Sequence, residues 1–144
     1  MKADAINRFV LDASTVLAWC FPEDGSPYAQ AVLDLLAGGA EAIVPEIWAL
    51  EVANALLVGE RRKRRTQAQV MSLLQHLSSL RIAVQKSGTD WVFSRVLSVA
   101  RQERLSVYDA AYLDTALREG LPLATLDDDL RRAARDLGVS VSVA

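Results

Sequence analysis

Phe9-Val10-Leu11-Asp12-Ala13-Ser14 sets three apolar residues directly before an acid, and Leu123-Ala124-Thr125-Leu126-Asp127 repeats the arrangement near the other end of the chain. Short apolar runs bounded by polar or turn-forming residues read as buried strands. Ala42-Ile43-Val44, ended by Pro45, is another such run, and 81–84 is a further candidate. Between the runs lie helical segments at 27–37, stopped by Gly38-Gly39, and at about 46–58, 66–80, 90–103, 108–119 and 127–137. Gly120 and Gly138 close the last two, and a final strand is expected near 139–143. Strands alternating with helices predict a three-layer α/β/α sandwich with a central, mainly parallel sheet. No repeat, low-complexity tract or linker interrupts the pattern, so one domain is expected over 1–144. In such folds ligands bind beyond the carboxyl ends of the strands, which is where Asp12 and Asp127 fall.

Composition narrows the class. Hydrophobic residues are 51% of the chain, which excludes global disorder, and 144 residues suffice for a core without staples. The lone cysteine, Cys20, cannot form an internal disulfide and suits a reducing compartment. The opening MKADAINRFV lacks the basic and long apolar regions of a secretory signal, and the longest apolar run, Val16 to Phe21, is too short to span a bilayer. A cytoplasmic protein without membrane contact is therefore expected. The net charge of −2 is not the footprint of bulk-charge binding to nucleic acid; a nucleic-acid substrate would need local basic patches or a bound metal.

Four acids share one trait: each is placed to face inward. On a helix Glu51 shares its face with Ile47, Trp48, Asn54 and Ala55, and apart from Asn54 that face is apolar. The plain alternative is a carboxylate at the stripe's edge reaching water; a buried one needs a partner, and Asn54 could donate one hydrogen bond. Asp109 shares its face with Tyr112, Leu113 and Ala116, although Ser106-Val107-Tyr108-Asp109 also resembles a capping box. Asp114 falls on another face, where pairing with Arg118 would be an ordinary solvated arrangement. In Asp127-Asp128-Asp129 the helix dipole alone explains three acids, but phase turns Asp127 toward Leu130 and Ala134 and leaves Asp128 among Arg131, Arg132 and Arg135. Asp12 could be a helix N-cap. Each acid alone is weak; four facing inward at one sheet end are not.

Carboxylates gathered in this way repel one another unless a counter-charge is present. An all-oxygen donor set selects Mg²⁺ or Mn²⁺, and no cysteine pair or histidine cluster offers a zinc site. His76, the only histidine, sits among Leu73, Leu77 and Leu80, which favours a structural role. A metal so held can activate water and neutralise the leaving oxygen of a phosphodiester, and it attracts the phosphate that the acids repel. Asp12 and Asp109 are the foremost ligand candidates, with Glu51 and Asp127 completing the set directly or through water. Ser14 and Thr125 are placed to fix carboxylate orientation.

The segments Phe9 to Ser14, Pro45 to Asn54, Leu105 to Leu113 and Leu123 to Asp127 together resemble PIN-domain nucleases, most closely the VapC-type toxins of bacterial toxin–antitoxin pairs. The resemblance spans nearly the whole chain, and its specificity lies in the order and spacing of four motifs. It implies a Mg²⁺-dependent endoribonuclease that forms a homodimer, is silenced by a cognate antitoxin in its groove, and meets promoter DNA only through that antitoxin. The family's acidic quartet falls on Asp12, Glu51, Asp109 and Asp127, and its small polar residue after the first Asp on Ser14.

Other features compete. Glu60-Arg61-Arg62-Lys63-Arg64-Arg65 is the one strong charge run; a solvated interhelical turn is the simpler reading, contact with an RNA backbone or an acidic antitoxin segment the functional one. Trp19, Trp48 and Trp91 suit core or dimer packing better than base stacking. Phosphoryl-transfer domains of the receiver or haloacid-dehalogenase kind want a second acid near Asp12, and nucleotide-binding domains want a glycine-rich loop there; Asp12-Ala13-Ser14 supplies neither. A non-catalytic module of the same fold, binding a protein partner or RNA, is the remaining rival.

Overall fold

The computed structural model describes residues 6–143. Part of the stretch weighed for a secretory signal, and both limits of the expected 1–144 domain, lie outside the described residues. Strand β1 (Arg8–Leu11) is flanked by β2 (Glu41–Pro45) and β4 (Leu123–Ala124), and β3 (Ile82–Gln85) lies outside β2, giving the order β3-β2-β1-β4. All pairings are parallel, with Val10 opposite both Ile43 and Leu123, and Pro45 opposite Gln85. Phe9, Val10 and Leu11 are fully buried, as a central strand covered on both faces requires.

Among the described residues, eight α-helices cover the sheet: α1 (Ala13–Cys20), α2 (Pro27–Ala37), α3 (Ile47–Arg61), α4 (Gln67–Ser79), α5 (Thr89–Trp91), α6 (Leu97–Glu103), α7 (Val107–Glu119) and α8 (Asp128–Asp136). Helix α1 packs on α2 and α3, and α3 on α4; α7 packs on α6, α8, β1 and β2. Because parallel crossovers are right-handed, the connections running from β1 out to β3 and the return from β3 to β4 lie on opposite faces, the expected α/β/α sandwich. Among the described residues, no helix is long and apolar enough to cross a membrane.

Local chemistry sets the helix ends. Ser26 caps α2 and Pro27 occupies its first turn, where a missing N–H costs nothing. Thr66 and Gln69 form a reciprocal capping box that starts α4. Gly120 takes φ +65° after α7, a left-handed turn that glycine adopts without strain.

Four differences from the sequence reading have physical causes. Helix α1 was not expected. Five of its eight residues, Ala13, Thr15, Val16, Ala18 and Cys20, are buried, so it has no broad polar face to give a helical period. Residues 139–143 form no strand: Leu123 N–H donates to the Ser140 carbonyl at 2.9 Å, but the Val141 carbonyl is taken by the Tyr28 hydroxyl instead of a ladder. The helix expected at 90–103 widens into a π-turn over Val92–Val96, between α5 and α6. Pro45 ends the run in sequence but belongs to β2, at its last position, where no further ladder donor is needed.

Candidate metal centre

Four chain segments carry the acids: the exits of β1 and β4, and helices α3 and α7. Asp12 follows β1, its backbone N–H still bonded to the Ala124 carbonyl at 2.9 Å. It stands at the N-cap position of α1, yet its side chain caps nothing. Instead Oδ2 accepts the Ser14 hydroxyl at 2.6 Å and the Thr125 hydroxyl at 2.7 Å. Only 4% of Asp12 is exposed, so burial raises its pKa; the two hydroxyls oppose that shift and the charge of Asp127 adds to it. Both hydroxyls converge on one oxygen, which leaves the other free of side-chain donors.

Thr125 and Ser14 also shape the β4 exit. Ser14 Oγ accepts the Leu126 N–H at 3.0 Å and Thr125 Oγ1 accepts the Asp127 N–H at 3.0 Å. Asp127 then caps α8 through Oδ1, which accepts the Leu130 N–H at 2.8 Å. The capping role that Asp12 lacks is thus real for Asp127, one of whose oxygens it occupies. Asp128 and Asp129 are exposed on the first turn of α8.

Glu51 on α3 and Asp109 on α7 approach from the two helical layers. The hydrogen bond that holds Glu51 comes from the Tyr112 hydroxyl, at 2.7 Å to Oε1; Asn54, the expected donor, is exposed and makes no such bond. Burial raises the Glu51 pKa, with Tyr112 opposing and Asp12 reinforcing the rise. The Asp109 N–H donates to Ser106 Oγ at 3.1 Å, so the cap at this helix end is present as well. The Asp109 carboxyl is pushed up to about 6, first by burial and then by the charges of Asp12, Asp127 and Glu51. A carboxylate that feels all three others places the four acids around one region. Among the described residues, no three acid, histidine or cysteine side chains close tightly enough to enclose an ion unaided.

Three neighbours escaped the sequence reading in the roles they have. Tyr112 was legible as a facing residue, three positions after Asp109, but not as the donor to Glu51. Arg131 donates from Nε to the Thr125 carbonyl at 2.7 Å and lies 4.7 Å over the Tyr28 ring, so it braces the β4 exit. Asp114 corrects an expectation outright: it is fully buried, and accepts from Trp91 Nε1 at 2.6 Å and Arg95 at 3.0 Å, not from Arg118. Arg118 lies 4.8 Å over the Trp91 ring and donates to Gln85.

The basic run is partly spoken for. Arg64 and Arg65 pair with Glu23, Arg64 also with Asp24, and both guanidinium groups lie over the Phe21 ring at 4.4 and 5.0 Å. Arg61, Arg62 and Lys63 are exposed where α3 turns toward α4.

A family model described as the PIN domain matches residues 9–136, from the first strand to the end of α8. The chain belongs to the PIN-domain family. Within it, this PIN domain is 29% identical over 123 residues to a protein named Ribonuclease VapC3 of Pyrobaculum aerophilum, covering 85% of this chain and 92% of that one. The crystal structure of PAE2754, also of Pyrobaculum aerophilum, superposes with a TM-score of 0.64 at 25% identity, over 90% of this chain and 87% of that one. A toxin–antitoxin complex from Klebsiella pneumoniae matches this PIN domain with a TM-score of 0.61 at 18% identity, over 94% of this chain and 98% of that one, a likeness of fold.

Proposed function

We propose that this PIN domain is a metal-dependent endoribonuclease, the toxin of a type II toxin–antitoxin pair, working at Asp12, Glu51, Asp109 and Asp127. The observation that carries the reading is a set of oriented carboxylates: Asp12 held by two hydroxyls at the sheet end, Glu51 by Tyr112 and Asp127 by its cap, with Asp109 raised by the other three, a repulsion a cation would relieve. The all-oxygen donor set and the uncrowded oxygen of Asp12 fit Mg²⁺ or Mn²⁺. Bound there, the ion would supply Lewis acidity at the scissile phosphate and a more acidic water.

The protein's own groups do the rest. Ser14 and Thr125 hold Asp12 in one orientation, and Tyr112 fixes one oxygen of Glu51, leaving the other directed by that anchor. Asp127, with one oxygen committed to the α8 cap, has one left for an ion or its water. Asp109 and Glu51 would orient an attacking water and accept its proton. The likeness in sequence to Ribonuclease VapC3 supports RNA as substrate, and the fold shared with a toxin–antitoxin complex supports a protein antitoxin as inhibitor. A homodimer in the cytoplasm, meeting promoter DNA only through the antitoxin, completes the reading.

The test is cleavage of end-labelled RNA by the purified chain in Mg²⁺ and in EDTA, with analysis of the new ends. Metal-dependent cuts without 2′,3′-cyclic phosphate are expected, because water and not the ribose hydroxyl attacks. Absence of cutting across many RNAs, together with normal binding of a partner protein, would favour the non-catalytic module.

A further inference from the structure

A cavity of about 200 Å³ lies between the β2–α3 junction and the first turn of α7, walled by Ile47, Trp91, Val96 and Ala111, with Glu46 and Tyr108 among its lining residues. Its position is set by the same elements that carry the site. Tyr108 immediately precedes Asp109 on α7, and Glu46 joins β2 to the helix that bears Glu51. Both junctions lead into residues of the acid set, so a base neighbouring a phosphate held there is the group best placed to enter the cavity. We propose that this cavity takes one nucleobase of the RNA next to the cut, and that it favours an amino-bearing base, guanine above all, over uracil. The proposal rests on the RNA-cleaving reading above.

Two features make the cavity a base site. Tyr108 is 60% exposed, an aromatic ring offered to solvent that can stack on an unpaired base. Glu46 is exposed, and its Oε1 accepts the Ser87 N–H at 2.9 Å, which fixes the carboxylate and leaves Oε2 for a ligand. A carboxylate accepts hydrogen bonds and gives none, so it selects bases by their donors. Guanine presents two adjacent donors, at N1 and N2; adenine and cytosine present an amino group; the single N–H of uracil is flanked by two carbonyls that repel the carboxylate.

The cavity is held open before any ligand arrives. Asp114, fully buried on α7, accepts from Trp91 Nε1 at 2.6 Å and from Arg95 at 3.0 Å. Those bonds pin the segment carrying Trp91 and Val96 against α7, and Arg118 covers a face of the Trp91 ring at 4.8 Å. A preformed pocket with few polar groups is the usual form of a specificity site.

The full chain would be given a random-sequence single-stranded RNA pool in Mg²⁺, and the cut ends sequenced. Wild type is expected to favour guanine over uracil at one position bordering the cut by about tenfold or more. Glu46→Gln, which keeps an acceptor for Ser87 but adds a donor, is expected to flatten that preference to within about threefold. Tyr108→Ala should raise KM by about tenfold, and Tyr108→Phe, which still stacks, should stay within about twofold of wild type. No base preference in wild type, or one that Glu46→Gln leaves unchanged, overturns the proposal while the nuclease reading stands. The proposal also falls if the variants lose affinity for a protein partner but keep the wild-type cutting pattern, which would assign the cavity to that partner. A wild-type chain that cuts no RNA in the pool overturns the nuclease reading, and the base pocket with it.

Discussion

At Asp109 burial and three neighbouring carboxylates act together on one proton, holding the pKa near about 6. A carboxyl whose folded pKa lies above its unfolded value binds its proton more tightly when folded. The associated stability is present at low pH and is lost as pH rises through about 6. Asp12 and Glu51 are raised too, so they push in the same direction. In EDTA, Tm is therefore expected to rise between about pH 7 and about pH 5. Partial exposure of Asp109 screens the effect to on the order of 1 kcal/mol, or roughly 4 °C. Saturating Mn²⁺ should reverse the trend, since ligands must be ionised to bind it. A thermal scan at both pH values checks this, and a trend unchanged in Asp109→Asn would remove its cause. At Tyr112 the expected outcome is simpler: Tyr112→Phe deprives Glu51 of its donor, costs about 1 kcal/mol of stability, and weakens Mn²⁺ binding about tenfold by calorimetry.

The inward phase of Glu51 and Asp109 was legible in sequence because helical spacing is local. The identity of their partners was not. Asn54 lies one turn from Glu51 in sequence, but the donor is Tyr112, on a different helix. Asp114 misled for the same reason: Arg118 stands four residues on, whereas Trp91 and Arg95 reach it from a separate segment. Burial then follows from packing, which no i,i+4 rule encodes.

Among the elements, α3 shows how one residue type can serve packing. Gly59 lies within the helix, where glycine is a poor helix former, and a Cβ there would come within 2.8 Å of the Phe21 ring. That ring carries Arg64 and Arg65 over it, and those arginines tie the α3–α4 turn to Glu23 and Asp24. Gly59→Ala, which would stabilise an ordinary exposed helix, is expected to destabilise here by about 1–3 kcal/mol in urea unfolding. A gain in stability would show that Phe21 yields freely. Asp114→Asn should likewise destabilise, since it leaves one buried oxygen to serve both Trp91 and Arg95. Strands β1 to β4 and the helix stops were readable because β-rich runs, caps and glycines are local signals, whereas the apolar run at 139–143 gave the same signal without pairing as a ladder. Helix α1 was not, since an element buried on most sides shows no polar period.

For the molecule as a whole, the net charge of −2 remains the feature least like a nucleic-acid binder. Of the basic run, Arg64 and Arg65 are engaged within the fold, and the exposed Arg61, Arg62 and Lys63 are few. RNA affinity should then depend on the cation more than on released counterions. In Ca²⁺, taken as a non-cleaving substitute, a log–log salt slope no steeper than about −3 is expected, and binding should weaken at least about tenfold in EDTA. A steep slope insensitive to EDTA would point to a basic surface as the main contact.

The most direct measurement compares wild type with Asp12→Ala, in Mg²⁺ and in EDTA, for RNA cleavage and for Mn²⁺ binding by calorimetry. Wild type is expected to cut only with metal. Asp12→Ala should keep the wild-type circular-dichroism spectrum, bind Mn²⁺ at least about tenfold more weakly and cut no RNA. Cleavage by folded Asp12→Ala at the wild-type rate would contradict a metal centre built on this carboxylate.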